Sequence, residues 1–342
     1  MKQLVAISGV CAWPKLTLQS RPHAALVVVF NQPTPGLWAG ELACWETLDS
    51  GDSWQHVGYL SPNVGGATYV NAAIGSLSSG RLLGIYAGFG QRPPPENPEP
   101  IDEATTLPTV FTSSEDHGVS WASPQLLPPP YPGCHEFTPS GKIVEIGPDC
   151  AATILYGYDT PTTSQAHMYQ IKSGGTWEVV GMVNPEGPSI DETELVWLGG
   201  GDLLAFGRTY PEARIGAFAS TNGGKTWHYR GYVTNPGESP ASACLSTDGK
   251  LVLTYGFRRA NQRGIAVRWS EDRGDSWSDD YILAEYNPNS HGGHPSTVCL
   301  GDATLLTAYF AERSKACSEY HMATVRWTPA SLLASRSSSR RG

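Results

Sequence analysis

The sequence predicts an all-β protein, a six-bladed β-propeller, and two internal repeats carry this prediction. The first repeat is a short phrase, Ser/Thr-x-Asp-x-Gly-x-Ser/Thr-Trp, and repeats at a period of about 50 residues are typical of solenoids, propellers and arrays. The second repeat is a pair of apolar strands joined by a polar turn. The copies of the phrase are Thr47–Trp54, Ser114–Trp121, Ser220–Trp227 and Ser270–Trp277, with a partial copy at Ser173–Trp177.

Each phrase predicts a tight turn that stabilises the fold. The Asp carboxylate accepts backbone N–H groups inside the turn, and the Gly adopts a positive φ. The hydroxyl side chain hydrogen-bonds across the turn, and the Trp ring packs between neighbouring sheets. We therefore expect Asp49, Asp116 and Asp272 to be structural rather than catalytic; the copy at Ser220–Trp227 has Asn222 in this place.

The strand pairs number six, so they predict six blades. Each pair consists of an inner strand that lines the central channel and a second strand beside it. The six copies are Trp13–Leu18 with Ala25–Phe30, Asn71–Ile74 with Leu82–Ile85, Cys134–Phe137 with Lys142–Ile146, Glu192–Val196 with Leu203–Phe206, Ser239–Ala243 with Leu251–Thr254, and His294–Val298 with Leu305–Ala308.

The last blade has too few strands downstream to be complete. After Leu305–Phe310, one further strand remains near Met322–Trp327. We expect the N-terminal strand Leu4–Ser8 to close this sixth sheet, because closing the ring removes a sheet edge. The prediction is one domain over residues 1–334, followed by a disordered Ser/Arg-rich tail at 335–342.

The charge and hydropathy of the chain limit which classes of binding partner are expected. The formal net charge of −9 argues against nucleic acid or an anionic membrane as a partner. No apolar run approaches the ~18 residues that cross a bilayer, and the N-terminus is too short and strand-like for a signal peptide. We therefore expect a protein that is not exported, with the cytoplasm as the compartment and other locations left open. We also expect a monomer. The sequence indicates no cofactor and no metal-ligand spacing.

The seven cysteines form no CxxC pair, and Cys244 and Cys299 occupy matching strand positions. Buried thiols are therefore expected, with one disulfide left open. Two long loops are predicted at Gln91–Pro108 and Gly157–Gln165, and long loops in compact domains include both lids and plain surface connections.

The starts of the inner strands and the ends of the second strands converge on one face of a propeller. Arginine binds carboxylates bidentately, and Trp stacks on sugar faces. This combination predicts a carbohydrate ligand, acidic or neutral. The predicted substrate-binding residues are Arg208, Arg258, Trp13, Asn71, His135 and Tyr210.

The repeated phrase resembles the Asp-box, or BNR repeat, of the sialidase superfamily. The segment Asp191–Arg208 is similar to a sialidase blade in which a Glu partners the nucleophile and an Arg binds the substrate carboxylate. The resemblance implies these roles for Glu192 and Arg208. It also implies an exo-acting glycoside hydrolase that releases a terminal sugar from an oligosaccharide or polysaccharide.

Two positions depart from the sialidase pattern. Ala12 stands where the first substrate-binding Arg is expected, and His294 stands where sialidases have a Tyr nucleophile. A neutral His transfers protons near pH 7, so we predict Glu192 and His294 as the catalytic residues. Two alternatives remain open: a lyase or unusual glycosidase using His294 at a uronic-acid linkage, and a propeller that only binds glycans or proteins.

Overall fold

The computed structural model describes residues 1–9, 11–31, 40–61, 67–90, 106–160, 163–172, 175–301 and 303–339. In these ranges the chain forms strands and a single helix. The strands are β1 (Lys2–Ser8), β2 (Cys11–Leu18), β3 (Ala25–Asn31), β4 (Glu41–Thr47), β5 (Gln55–Tyr59), β6 (Ala67–Ser76), β7 (Leu82–Gly90), β8 (Thr106–Ser114), β9 (Gln125–Leu126), β10 (Phe137–Pro139), β11 (Val144–Gly147), β12 (Cys150–Thr160), β13 (Thr163–Ile171), β14 (Trp177–Met182), β15 (Ile190–Gly199), β16 (Asp202–Thr209), β17 (Ile215–Ser220), β18 (His228–Tyr232), β19 (Glu238–Leu245), β20 (Leu251–Arg259), β21 (Gln262–Ser270), β22 (Tyr281–Tyr286), β23 (Gly292–Cys299), β24 (Leu305–Ala311) and β25 (His321–Trp327). The helix is α1 (Pro329–Ser339).

The strands form six antiparallel sheets, and each sheet is one blade of a β-propeller. Blades 1 and 2 are β2–β5 and β6–β9, blade 3 is β10–β14, and blades 4 and 5 are β15–β18 and β19–β22. The innermost strands of neighbouring blades pack together around the channel, while the second strands are almost wholly buried between blades. The predicted six-bladed propeller is confirmed.

Blade 6 contains both ends of the described propeller. Its strand order is β1-β25-β24-β23, and β1 pairs antiparallel with β25 from Lys2 opposite Arg326 to Ser8 opposite His321. The N-terminal strand therefore closes the ring, as the sequence predicted.

The repeated turns have the expected geometry. In the turn at Ser270–Trp277, the Asp272 carboxylate accepts the backbone N–H of Ser276 at 2.8 Å, and Gly274 has a φ of 88°. The Trp277 ring lies edge-on to Phe206 of the preceding blade, with 5.8 Å between centroids. Each turn therefore fixes its own loop and also joins two blades.

Two predicted elements of blade 3 are wrong. Residues 142–146 were expected to form the second strand, but β11 (Val144–Gly147) continues the inner position and pairs with β12, which is the second strand. The irregular inner strand, split by residues 140–143, obscured the repeat. The expected loop Gly157–Gln165 is largely the extended hairpin of β12 and β13, in which Gly157 pairs with Gln165.

Other sequence predictions have mixed outcomes. Most of the predicted loop Gln91–Pro108 lies outside the described residues, and its end belongs to β8. Helix α1 extends into the segment for which disorder was expected. Six of the cysteines are free thiols, namely Cys44, Cys134, Cys150, Cys244, Cys299 and Cys317. Helix α1 is not a candidate for crossing a membrane.

Candidate active site

Irregularities in the inner strands create the site. In blades 1, 4 and 6 the pairing register shifts at Trp13, Glu192 and His294, which lie at the same end of their strands. These three residues have positive φ values of 47°, 28° and 48°. A β-bulge re-aims side chains, and a non-glycine residue with positive φ carries backbone strain that clusters at functional sites. The backbone is therefore strained at three positions around one end of the central channel, which we call the channel mouth.

Glu192 and His294 meet across this mouth. His294 Nδ1 lies 3.7 Å from Glu192 Oε1, and each side chain is 15% exposed. The structure therefore brings together the two residues that the sequence predicted as catalytic.

Arg208 is fully engaged by acidic and phenolic groups. Its Nε donates to Asp191 Oδ1 at 2.8 Å, and its Nη2 donates to Asp191 Oδ2 and to the Tyr210 hydroxyl. Its Nη1 lies 2.8 Å from Glu192 Oε2. All three guanidinium nitrogens are therefore directed at protein groups.

The Glu192 Oε2 atom has an unusual environment. Its distance to Arg208 is that of an ion pair, but the approach lacks hydrogen-bond geometry, and this buried oxygen has no hydrogen-bond partner among the described residues. The buried hydroxyl of Ser239, on the inner strand of blade 5, is likewise unpartnered within the described part of the chain. Buried polar atoms are normally satisfied, so each of these atoms can accept or donate a hydrogen bond to a ligand.

Asp191 connects Arg208 to two tyrosines through hydrogen bonds. Its carboxylate is fully buried and accepts hydrogen bonds from the hydroxyls of Tyr210 at 2.8 Å and Tyr158 at 3.0 Å, in addition to those from Arg208. Burial raises the pKa of Asp191, although the bonds from Arg208 oppose this. Burial acts to lower the pKa of Arg208, but the bond to Asp191 and the charge of Glu192 outweigh it, so the pKa lies above its ordinary value.

His294 is held neutral. Burial lowers its pKa well below 6.5, and the positive charges of Lys15, Arg208 and Arg258 add to this, while Asp191 opposes it. The imidazole lies beside the rings of Trp13 and Phe310, with centroids 6.2 and 5.8 Å away. An unprotonated His at this position can accept a proton at neutral pH.

Lys142, Glu194 and Lys15 form a second cluster of charged side chains in the channel. Lys142 pairs with Glu194 at 2.8 Å, and Lys15 donates to the Ser140 carbonyl oxygen. Burial lowers the pKa of Lys15, and Lys142 adds to this, whereas Glu194 and Glu192 oppose it. These cations face the acidic residues of the site from below.

The remaining predicted residues lie at different distances from the pair. Arg258 is exposed at the end of β20, and its Nη1 donates to the Ser239 carbonyl oxygen at 3.1 Å. Asn71 follows the bulge of β6 at the same mouth. His135 is exposed in the segment before β10, outside the cluster described above. The register error in blade 3 explains why the sequence placed it at the channel.

Sequence reasoning missed Asp191, Tyr158 and Lys15. Asp191 directly precedes Glu192 in the blade-4 segment, and the resemblance implies no role for it. Lys15 is a charge inside an otherwise apolar strand, which is a usable signal. Tyr158 was assigned to a loop, so its approach to Asp191 could not be inferred.

Within the described ranges, the structure contains no group of three or more His, Cys, Asp or Glu residues that could hold a metal ion.

The fold and the repeated turns define a propeller of the sialidase superfamily. The family model described as a BNR repeat-like domain matches residues 95–307, more than half of the chain, so the chain belongs to this family. Comparison with curated proteins finds no match.

Solved structures support the same fold. A protein of unknown function from Dyadobacter fermentans aligns with a TM-score of 0.78 and 17% identity, covering 95% of this chain and 97% of that one. The Hadza microbial sialidase Hz136 aligns with a TM-score of 0.73 and 15% identity, covering 96% and 67%. The NanB sialidase of Streptococcus pneumoniae aligns with a TM-score of 0.68 and 14% identity, covering 96% and 71%. At these identities the likeness concerns the fold alone.

Proposed function

We propose that this protein is an exo-acting glycoside hydrolase that releases a terminal sugar from a glycan, with Glu192 and His294 as its catalytic residues. The observation that carries the proposal is their approach to 3.7 Å at the channel mouth, each on a strained bulge of its own blade. Positioned acid–base groups accelerate proton transfer by about 10²–10⁴-fold.

The roles follow from the charges. His294 is the general base, because it is neutral and accepts a proton at Nε2 from the attacking water. As the water oxygen bonds to the anomeric carbon, the glycosidic C–O bond breaks and the leaving oxygen takes a proton from solvent. Glu192 faces Nδ1, accepts its N–H bond and stabilises the imidazolium that forms. This division resembles that of other His–carboxylate pairs, in which the carboxylate orients the ring and stays ionised.

Arg208 is a positioning residue in this proposal. Its Nε and Nη2 donate to Asp191 and Tyr210, and its Nη1 forms an ion pair with Glu192, so it holds the Glu192 carboxylate in place. Arg258 and Trp13 contact the sugar, because Arg258 is exposed at the mouth and the Trp13 ring lines it. The unpartnered Ser239 hydroxyl adds a hydrogen-bonding group for a sugar hydroxyl.

Product analysis by NMR tests the proposal. The protein is incubated with glycans that end in sialic acid, uronic acid, rhamnose or arabinose, alongside Glu192→Gln and the matched control Glu212→Gln, an exposed carboxylate outside the site. A free sugar formed by wild type and control but not by Glu192→Gln supports hydrolysis. An unsaturated uronate product would instead establish the His294-based lyase, and binding without turnover of any glycan would establish the non-catalytic alternative.

A further inference from the structure

A second cavity lies on the same face of the propeller, between the outer parts of blades 5 and 6. Its volume is about 370 Å³, within the range of small-molecule sites. It is bounded by the turn between β20 and β21, the end of β22 and the segment after β24. We name this cavity the outer groove; the residues used below are Asn261, Gln262, Arg263, Tyr286, Asn287 and Lys315.

The chemistry of the outer groove suits sugar hydroxyls. It combines side-chain amides, two cations and one phenol, so it offers both donors and acceptors. Gln262 is oriented by Glu285, and Arg263 by the Ser290 carbonyl oxygen. Lys315 is exposed and forms no ion pair within the described residues, so its ammonium group is available.

Tyr286 connects the outer groove to the catalytic pair. A Cβ atom on Gly292 would lie 2.8 Å from the Tyr286 ring, and one on Gly293 would lie 3.5 Å from its hydroxyl and 3.9 Å from Arg258 Nη2. The ring therefore packs directly beneath the two glycines that precede His294. Tyr286 therefore lines the outer groove and also packs against the segment that carries His294.

We propose that the outer groove is a subsite for the remote sugars of an oligosaccharide whose terminal sugar occupies the Glu192–His294 site. This assignment rests on the proposed function for the identity of the site, but the groove has its own residues. Binding energy from remote sugars lowers the barrier at the cleaved bond, so the groove favours extended glycans over short ones.

The test fills the groove with Lys315→Trp and compares it with Lys225→Trp, an exposed lysine in a turn on the opposite face. For each protein, kcat/KM is measured on an oligosaccharide and on an aryl glycoside of the same terminal sugar. The ratio of the two values is expected to fall about tenfold in Lys315→Trp, the loss that one or two hydrogen bonds would cause, and to stay unchanged in Lys225→Trp. An unchanged ratio in Lys315→Trp would overturn the assignment.

A glycan array separates failure of the groove from failure of the proposed function. If wild type cleaves nothing, the hydrolase proposal fails, and the groove is judged by binding alone. Binding of extended glycans that Lys315→Trp loses and Lys225→Trp retains supports the groove. An array that is silent, or equal for the three proteins, rejects it.

Discussion

The two faces of the ring use carboxylates in opposite ways. On one face Asp272 is exposed, and its hydrogen bonds come from Ser276 and Ser270 of its own turn; these bonds lower its pKa to about 2. On the other face Asp191 is fully buried, and its partners come from blades 3 and 4. A carboxylate satisfied by its own loop stabilises that loop, whereas one that depends on distant segments holds a site together.

The largest expected difference between substitutions on the two faces is that caused by Glu192→Gln. The change keeps the shape but removes the charge that stabilises a protonated His294, so kcat/KM is expected to fall on the order of 10²–10⁴-fold. Steady-state kinetics with the substrate found by NMR measures this loss. Asp272→Asn on the opposite face is the control, and an equal loss there would remove the distinction.

Asp191→Asn tests the structural half of the site. Removing one partner of a buried ion pair leaves Arg208 with Glu192 as its remaining acidic partner and costs about 3 kcal/mol of unfolding free energy. Urea denaturation measures the change. A stability equal to that of wild type would mean that Tyr158 and Tyr210 alone organise the site.

The pH dependence tests the neutrality of His294. Because the neutral form is the base, activity is present above its folded pKa, so the acidic limb of kcat/KM is expected below pH 6.5. The unfolded chain binds a proton near pH 6.5 that the folded chain resists, so this histidine reduces stability as the pH falls below that value. His294→Asn is expected to weaken this decline in urea titrations at pH 7 and pH 5; a decline identical to that of wild type would contradict the assignment.

The smallest effect is expected for Asp272→Asn. The copy of the turn with Asn222 keeps the same bond, because Asn222 Oδ1 accepts the backbone N–H of Thr226 at 3.0 Å. Stability at pH 7 is therefore expected to change little. Since the Asp272 pKa is lowered from 3.8 to about 2, its ionisation stabilises the fold above pH 4 and the effect is lost toward pH 2. Thermal unfolding across this range is expected to show a smaller acid loss in the variant.

The sequence predicted what repeats and missed what interrupts the repeat. The turn phrase and strand pairs were sufficient for six blades, and the blade-4 segment was sufficient to place Glu192 beside Arg208. Blade 3 broke the pattern because its inner strand is split, which displaced the second strand and His135. The roles of Asp191 and Tyr158 depend on contacts between blades, and a periodic pattern along one chain does not contain them.

The sequence was also a better guide to which side chains lie together than to which of them are free to bind a ligand. The sequence placed Arg208 at the mouth, and the structure places it there, but only the hydrogen bonds to Asp191 and Tyr210 and the ion pair with Glu192 indicate that it is engaged by protein groups. A motif specifies which side chains meet; the hydrogen-bond inventory decides which of them remain free for a ligand.

The pairing of β1 with β25 has a consequence for biosynthesis. The last blade combines residues 2–8 with residues 292–327. Strand β1 is therefore synthesised long before β23, β24 and β25, the other strands of its sheet. His294 lies on that blade. A nascent chain can therefore assemble blades 1 to 5 before blade 6 is complete, and the site proposed around Glu192 and His294 is expected to form in one late step as the ring closes.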